Sequence, residues 1–283
     1  MTIMVPLCRV RVGFVAALAA LLSVLSLVGH ARAEDSSPWI NDSHSAVRLL
    51  AGSRSGQVLL GGIAFQLAPG WKTYWRSPGD SGVPPRFDFS KSENVEAVTI
   101  LWPAPTKFAD GAGGISLGYQ KHVVLPMRIV AKNADKPVTL RASISYAVCE
   151  KLCVPVEASP ELTFASVAST QDATLSAALD TVPVPATIGD QHPITVRDVK
   201  RDGESVLVDV VAPEFGEVDL VVEGPTPDWA LPIPSKVDAS PPGVRRFSFA
   251  LEGLPPGAKP EGTALKLTLI GRERAYEFNV NLE

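Results

Sequence analysis

Residues 138–155 have the sequence VTLRASISYAVCEKLCVP and contain the only two cysteines that we expect in the mature protein. Apolar side chains recur at every second position before the cysteines, at Val138, Leu140, Ala142, Ile144 and Tyr146. Alternate side chains of a β-strand point to the same face of the sheet. The pattern therefore predicts one strand from Pro137 to Val148, with Cys149 at the point where this rigid strand gives way to a turn.

The spacing of the cysteines bears on whether they can pair. On a straight strand Cys149 and Cys153 would lie about 13 Å apart, since a strand rises roughly 3.3 Å per residue. A disulfide needs Cα atoms roughly 4.4–6.8 Å apart. If the two sulfurs pair, the chain must turn between them, and Glu150-Lys151-Leu152 is a suitable insert.

Three interpretations of this pair are open at this point. A structural disulfide would close a loop of about five residues, which the chain-entropy model values at only about 2 kcal/mol. A metal site would need one or two further ligands, and the histidines are scattered. A redox pair that cycles between dithiol and disulfide is favoured, because short, locally closed bridges are the ones most easily reduced.

The rest of the chain is dominated by short alternating apolar stretches separated by turn residues, which is typical of β-sandwiches. Tyr119–Val130 alternates like a single strand, and residues 108–114 look like a flexible glycine-rich loop tipped by Phe108. One short helix is predicted within Gln171–Val182, and Pro183-Val184-Pro185 follows it. We predict an all-β chain of two sandwich domains, residues 34–182 and 183–283.

The N-terminus has the features of a cleaved secretory signal peptide over residues 1–33. Arg9 and Arg11 precede an uncharged run, and an A-x-A pattern ends at Ala33. Cys8 precedes that run and would leave with the signal. The alternative is an uncleaved membrane anchor, because the run approaches the length that spans a bilayer.

The charge of the mature protein limits the kinds of partner. Residues 1–33 hold three of the 26 basic residues and none of the 30 acidic ones, so their removal changes the formal charge from −4 to −7. This balance argues against nucleic acid and against anionic membrane surfaces as partners. Export also places the thiols in an oxidising compartment, where a cysteine pair rests as a disulfide unless something reduces it.

The local sequence gives little sign of an activated thiol. No helix dipole is evident beside the pair, and no lysine or histidine other than Lys151 is certain to be close. We therefore expect a thiol that becomes reactive when a redox partner docks. An exposed dithiol in an oxidising compartment also needs a cover, and Phe108 is the candidate, although an ordinary loop or core aromatic fits that position equally well.

Several stretches, in order, resemble the N-terminal periplasmic domain of the thiol:disulfide interchange protein DsbD, and most closely its suppressor-of-copper-sensitivity B type. The resemblance covers roughly residues 45–168. The stretches that carry it are Pro69-Gly70-Trp71-Lys72-Thr73-Tyr74-Trp75, Leu101-Trp102-Pro103-Ala104-Pro105, Gly118-Tyr119-Gln120-Lys121-His122-Val123-Val124-Leu125-Pro126 and Ser145 to Pro155.

The resemblance implies an immunoglobulin-like sandwich and a periplasmic protein-disulfide reductase that needs no cofactor. It implies that Cys153 attacks the partner disulfide and that Cys149 resolves the mixed disulfide. It also implies a set of substrate-binding or cap residues, namely Tyr74, Phe108, Asp110, Tyr119 and Tyr146. The cap sequence of the family is only loosely matched here, by Phe108-Ala109-Asp110.

The expected partners are exported disulfide-containing proteins on one side and an electron donor on the other. The family's membrane-embedded and thioredoxin-like modules are not found in this sequence, so the donor is expected to be a separate polypeptide of either kind. The rival hypothesis is a non-catalytic β-sandwich binding module with a structural disulfide. In one variant Cu(I) is bound through Cys149, Cys153 and either His122 or Met127, because soft sulfur ligands suit Cu(I).

Overall fold

The computed structural model describes Met1 and residues 34–110, 113–164, 168–214, 216–238 and 240–283. The predicted signal peptide therefore lies outside the described residues, apart from Met1. The described part forms strands almost throughout, with one helix, α1 (Asp172–Leu179). Among these residues no helix has the length and hydropathy that a membrane crossing requires.

Thirteen strands of the described residues precede the helix. They are β1 (Ile40–Asn41), β2 (Ser45–Ser55), β3 (Val58–Leu67), β4 (Lys72–Gly79), β5 (Arg86–Asp88), β6 (Val95–Ile100), β7 (Thr106–Ala109), β8 (Ile115–Gln120), β9 (His122–Ala131), β10 (Val138–Arg141), β11 (Ser143–Cys149), β12 (Cys153–Ala158) and β13 (Glu161–Phe164). Eight follow it: β14 (Val184–Ala186), β15 (Thr195–Asp202), β16 (Ser205–Val211), β17 (Val218–Glu223), β18 (Ser235–Val237), β19 (Arg245–Ala250), β20 (Ala264–Gly271) and β21 (Ala275–Asn281).

Two sheets form a sandwich in the first half of the chain. The cysteine sheet has the order β12-β11-β4-β8-β7, with β5 also paired to β11, and the facing sheet has the order β1-β2-β3-β9-β6. Apolar side chains from both sheets meet in one core, in which Trp75, Ile63 and Leu125 are almost fully buried. A two-stranded sheet of β10 and β13 completes this core.

Helix α1 covers the outer face of the facing sheet. Leu175 packs there on Leu50 and Ala64. It also lies over Gly52 and Gly62, where a Cβ would overlap the methyl groups of Leu175. The helix predicted within Gln171–Val182 is therefore present, and it buries Leu175 and Ala178. Because the helix buries this face, β2 is largely buried on both sides and does not alternate between buried and exposed residues.

Two of the predicted strands are each divided between sheets. Tyr119–Val130 is interrupted at Lys121, whose φ of 62° reverses the chain between β8 in the cysteine sheet and β9 in the facing sheet. Pro137–Val148 is interrupted at Ala142, where β10 passes to β11. The prediction of continuous strands was wrong because inward side chains of both sheets face the same core, so the alternation persists across the break.

The second half is also built from two sheets, with the orders β14-β21-β20-β17 and β15-β16-β19-β18. They enclose a second core that includes Phe247, Phe278 and Leu267. A hairpin around residues 271–274 joins β20 to β21. The prediction of an all-β, immunoglobulin-like fold is confirmed, whereas the division into domains at 182/183 stays a prediction.

The two halves are in contact within one compact unit, Asp35–Glu283. Val221 of β17 is buried in the first core, and Ile233 and Ile270 pack against it. Arg76 of β4 donates three hydrogen bonds to Glu223, at 2.9, 3.3 and 2.7 Å, and one to Glu277 at 2.6 Å. These three side chains are mostly buried, so this ion cluster joins the strand β4 to the second half.

We expect Arg76→Met to destabilise the protein by about 2–3 kcal/mol, because it leaves the mostly buried Glu223 without its cation and Glu277 with Lys266 alone. The measurement is urea unfolding followed by tryptophan fluorescence. The matched control is Arg141→Met, since Arg141 pairs with Glu93 and Glu161 at the surface. Its unfolding midpoint should stay close to that of the parent. Equal effects of the two substitutions would contradict this account of the interface.

Candidate active site

The cysteines close the hairpin of β11 and β12. Cys149 is the last residue of β11 and Cys153 the first of β12, and they are directly opposite each other in the antiparallel register. Their Cα atoms are 4.2 Å apart and their sulfurs are bonded at 2.08 Å. Glu150, Lys151 and Leu152 form the turn, as the spacing predicted.

The direction of the Cys149 side chain follows from the core packing of β11. Tyr146 and Val148 are buried in the first core, so the alternation of the strand directs Ala147 and Cys149 to the opposite, outer face of the cysteine sheet. There they form a small buried cluster with Tyr74 of β4. Thr73 Oγ1 donates a hydrogen bond of 2.9 Å to the carbonyl of Ala147 and fixes the two strands at this point.

The two cysteines differ strongly in exposure. Cys149 is 2% exposed, whereas Cys153 is exposed. Leu152, which immediately precedes Cys153, is 78% exposed and is a large apolar side chain presented to solvent. A docking partner can therefore reach Cys153 first and find an apolar contact beside it.

Tyr74 contacts both sulfurs. Its hydroxyl donates to Cys149 Sγ at 2.9 Å and lies 3.3 Å from Cys153 Sγ. Burial, together with the negative charge of Asp110, raises the pKa of Tyr74 above its ordinary value of 10.0. The hydroxyl therefore keeps its proton at physiological pH and remains a hydrogen-bond donor to sulfur.

The loop after β4 covers the ring of Tyr74. Gly82 has a φ of 135° and lies so close to this ring that a Cβ would overlap it. Ser81 Oγ donates to Asp110 Oδ2 at 3.0 Å and lies 3.2 Å from Ser116 Oγ. The loop is thus tied to residues at the end of β7 and the start of β8.

Phe108 lies in the strand β7, where it pairs with Ser116. The prediction that it tips a flexible loop was wrong, because the segment before the glycines forms a strand at the edge of the cysteine sheet. Phe108 approaches the site through Lys72, whose Nζ lies 5.7 Å from the ring centroid. Asp110 accepts hydrogen bonds from Ser81 and from the amide of Gly114, the latter at 2.9 Å; Gly111 lies outside the described residues.

The other two tyrosines predicted for the site lie in the core. Tyr119 donates a hydrogen bond of 2.8 Å to the carbonyl of Pro103, and burial raises its pKa well above 10.0. The Tyr146 hydroxyl lies 2.8 Å from Ser45 Oγ, and its ring packs edge-on against Phe65. The structure therefore brings Tyr74 to the sulfurs and places Tyr119 and Tyr146 on the inner side of the same sheet.

Sequence reasoning did not identify Lys72, Gly82 and Leu152 as site residues. Lys72 is the register partner of Cys149, whereas Lys151 was the one lysine that could be placed near the pair from sequence. Its position two residues before Tyr74 is the signal that could have placed it on the same face. Gly82 carried no such signal, because its role depends on how a loop folds back over β4.

The residues proposed as further copper ligands lie elsewhere. Met127 is fully buried in the first core, and His122 is exposed at the start of β9 in the facing sheet. Within the described ranges no three histidine, cysteine, aspartate or glutamate side chains come together as a metal site would require.

Residues 43–165 match the family model described as thiol:disulfide interchange protein DsbD, N-terminal. The resemblance seen in the sequence is confirmed over this segment. The N-terminal periplasmic domain of ScsB from Proteus mirabilis has a similar structure, with a TM-score of 0.72 and 22% sequence identity. The match covers 88% of this chain and 98% of that one, and at this identity it shows a shared fold.

Two further solved structures that match are far less similar. A GAE domain of yeast GGA1 has a TM-score of 0.25 at 11% identity, covering 44% of this chain and 96% of that one. A conserved domain protein from Bacillus anthracis has a TM-score of 0.22 at 11% identity, covering 84% and 77%. No curated protein matches the sequence closely enough to count as a relative.

We expect Tyr74→Phe to make the cysteine pair harder to reduce, because the hydroxyl is a stronger partner for a thiolate than for a disulfide sulfur. The measurement is the equilibrium fraction of disulfide in glutathione buffers. Tyr146→Phe is the matched control, since it loses a buried hydrogen bond to Ser45 on the other side of the sheet. The control should cost about 1 kcal/mol of stability and leave the disulfide equilibrium unchanged. An unchanged equilibrium in Tyr74→Phe would contradict a role for the hydroxyl.

Proposed function

We propose that this protein is an exported thiol–disulfide interchange protein. It passes electrons from a membrane-embedded or thioredoxin-like donor to the disulfides of exported partner proteins, and Cys149 and Cys153 form its redox pair. The family match over residues 43–165 supports thiol–disulfide chemistry in general. The observation that carries the proposal is the disulfide itself, which has one buried and one exposed cysteine at the tip of a hairpin.

The unequal exposure favours an order of attack. In the reduced protein the thiolate of Cys153 attacks one sulfur of the partner disulfide. The partner's S–S bond breaks, a mixed disulfide to Cys153 forms, and the partner's other sulfur leaves as a thiolate. Cys149 is in place for the second step, because it lies directly opposite Cys153 in the hairpin register.

In the second step the thiolate of Cys149 attacks Cys153 Sγ and displaces the partner's second sulfur. The Cys149–Cys153 disulfide forms, the partner receives two electrons, and its two thiolates take up two protons. A donor dithiol then reverses these steps and reduces the pair. Nothing in this sequence of steps requires a cofactor beyond the two cysteines and the partner's sulfurs.

The proposed compartment is the periplasm. The signal-like residues 1–33 point to export, and the similar structure from Proteus mirabilis is a periplasmic domain. A separate polypeptide would supply the electrons. The apolar side chain of Leu152, next to Cys153, would form part of the contact with either partner.

We expect reduced Cys149→Ser to react with an aromatic disulfide reagent at least about tenfold faster than reduced Cys153→Ser, because the remaining thiol is exposed in the first variant and buried in the second. The measurement is the release of the coloured thiolate at neutral pH. Cys149→Ser should also retain the reagent as a stable mixed disulfide, since no second thiol is present to displace it. Equal rates would contradict the assignment of Cys153 as the attacking thiol.

The reduction potential separates the proposed function from its rival. We expect the folded wild-type protein to equilibrate with glutathione and dithiothreitol buffers at a potential above about −250 mV, in the range of redox carriers. A value below about −300 mV is typical of structural disulfides and would favour the non-catalytic binding module. Reduction should also leave the fold intact, which circular dichroism of the reduced protein would check.

A further inference from the structure

Lys72 and Cys149 form a cross-strand pair. They are directly opposite each other in the antiparallel register of β4 and β11. Opposite residues in such a pair point to the same side of the sheet, with Cβ atoms about 4.5–5.5 Å apart. Tyr74, two residues along β4, contacts both sulfurs, as this geometry requires. The side chain of Lys72 therefore starts beside the disulfide on the outer face of the cysteine sheet.

The side chain of Lys72 is largely buried, but its ammonium group makes few polar contacts. The residue is only 9% exposed, and its Nζ donates one hydrogen bond of 3.4 Å to the carbonyl of Ala109 and lies over the ring of Phe108. Among the described residues no carboxylate oxygen lies within 4 Å of this nitrogen. Buried charges are ordinarily paired, and the disulfide form gives Lys72 no direct ion pair among the described residues.

We propose that Lys72 supplies the positive charge that stabilises the thiolate of Cys149 when the disulfide is reduced. The inference rests on the proposed function and concerns its second step. The thiolate is the nucleophile in disulfide exchange, and a neighbouring lysine increases its fraction. Reduction thus creates an anion at the residue directly opposite Lys72. Lys72 is a positioning residue in this scheme, since it acts through Cys149 and bonds to no partner atom.

Other charged or titratable groups face Cys149 less effectively. Glu150 and Lys151 lie in the exposed turn, where solvent and salt screen them. Asp110 acts on the Tyr74 hydroxyl and accepts hydrogen bonds from Ser81 and Gly114. Tyr74 is neutral and contributes a hydrogen bond. Lys72 is the buried cation of this group, and charge interactions are strongest where water is excluded.

The test uses Cys153→Ser, in which Cys149 is the single thiol of the pair. The pH midpoint of thiolate formation is measured from the rate of alkylation by iodoacetamide and from the ultraviolet absorbance of the thiolate. We expect Lys72→Met in this background to raise the midpoint by about one pH unit, because the cation whose side chain starts directly opposite Cys149 is lost. Lys72→Arg keeps the charge and should stay close to the parent. Lys151→Met removes an exposed lysine of the same hairpin and should have no effect.

A second neutral variant, Lys72→Gln, covers the case in which Lys72→Met does not fold. A midpoint in either neutral variant within about 0.3 unit of the parent would overturn the proposal. So would a shift of equal size in Lys151→Met. The outcome is separable from that of the proposed function, because the reduction potential of the wild-type protein tests that function without reference to Lys72. If the pH midpoint shifts but the reduction potential of the wild-type protein lies in the range typical of structural disulfides, Lys72 stabilises the Cys149 thiolate and the pair does not take part in disulfide exchange.

Discussion

The site depends on the side of the sheet to which β11 directs Cys149, and core packing determines that side. Tyr146 and Val148 are held in the core, and the two-residue period of a strand then leaves the cysteine only the outer face. A slip of one residue would exchange the two faces and would bury the sulfur in the sandwich while exposing core side chains. The reactive position is therefore protected by the same packing that stabilises the fold.

The pair differs in environment at its two ends although only three residues separate the cysteines. At the inner end, Cys149 is enclosed by strand β4, which contributes the hydroxyl of Tyr74. At the outer end, Cys153 begins an edge strand beside the exposed Leu152. One hairpin thus offers one sulfur to solvent and keeps the other in a polar, water-poor environment. In the proposed mechanism the exposed Cys153 forms the mixed disulfide with the partner, and the buried Cys149 releases the partner from it.

The hairpin of residues 149–153 could be predicted from sequence, because its alternation and its spacing are local properties. The breaks at Lys121 and Ala142 could not, since apolar positions look alike whichever of two facing sheets they belong to. The strand that carries Phe108 was hidden by the glycines that follow it. The neighbourhood of Lys72 depends on a pairing between β4 and β11, which are about seventy residues apart in sequence. Sequence patterns thus predicted most strands, whereas the charged residues around the sulfurs depend on pairing between strands that are distant in sequence.

The burial of Val221 in the first core bears on how freely this protein can be divided. Because the first core includes a side chain from the second half of the chain, the first half alone does not contain its complete core. A recombinant fragment that stops before β17 would expose the apolar surface which Val221 covers and would leave Arg76 without Glu223. Such a fragment would be prone to self-association. Gene fusions or rearrangements that keep the two halves together would preserve solubility as well as the geometry of β4.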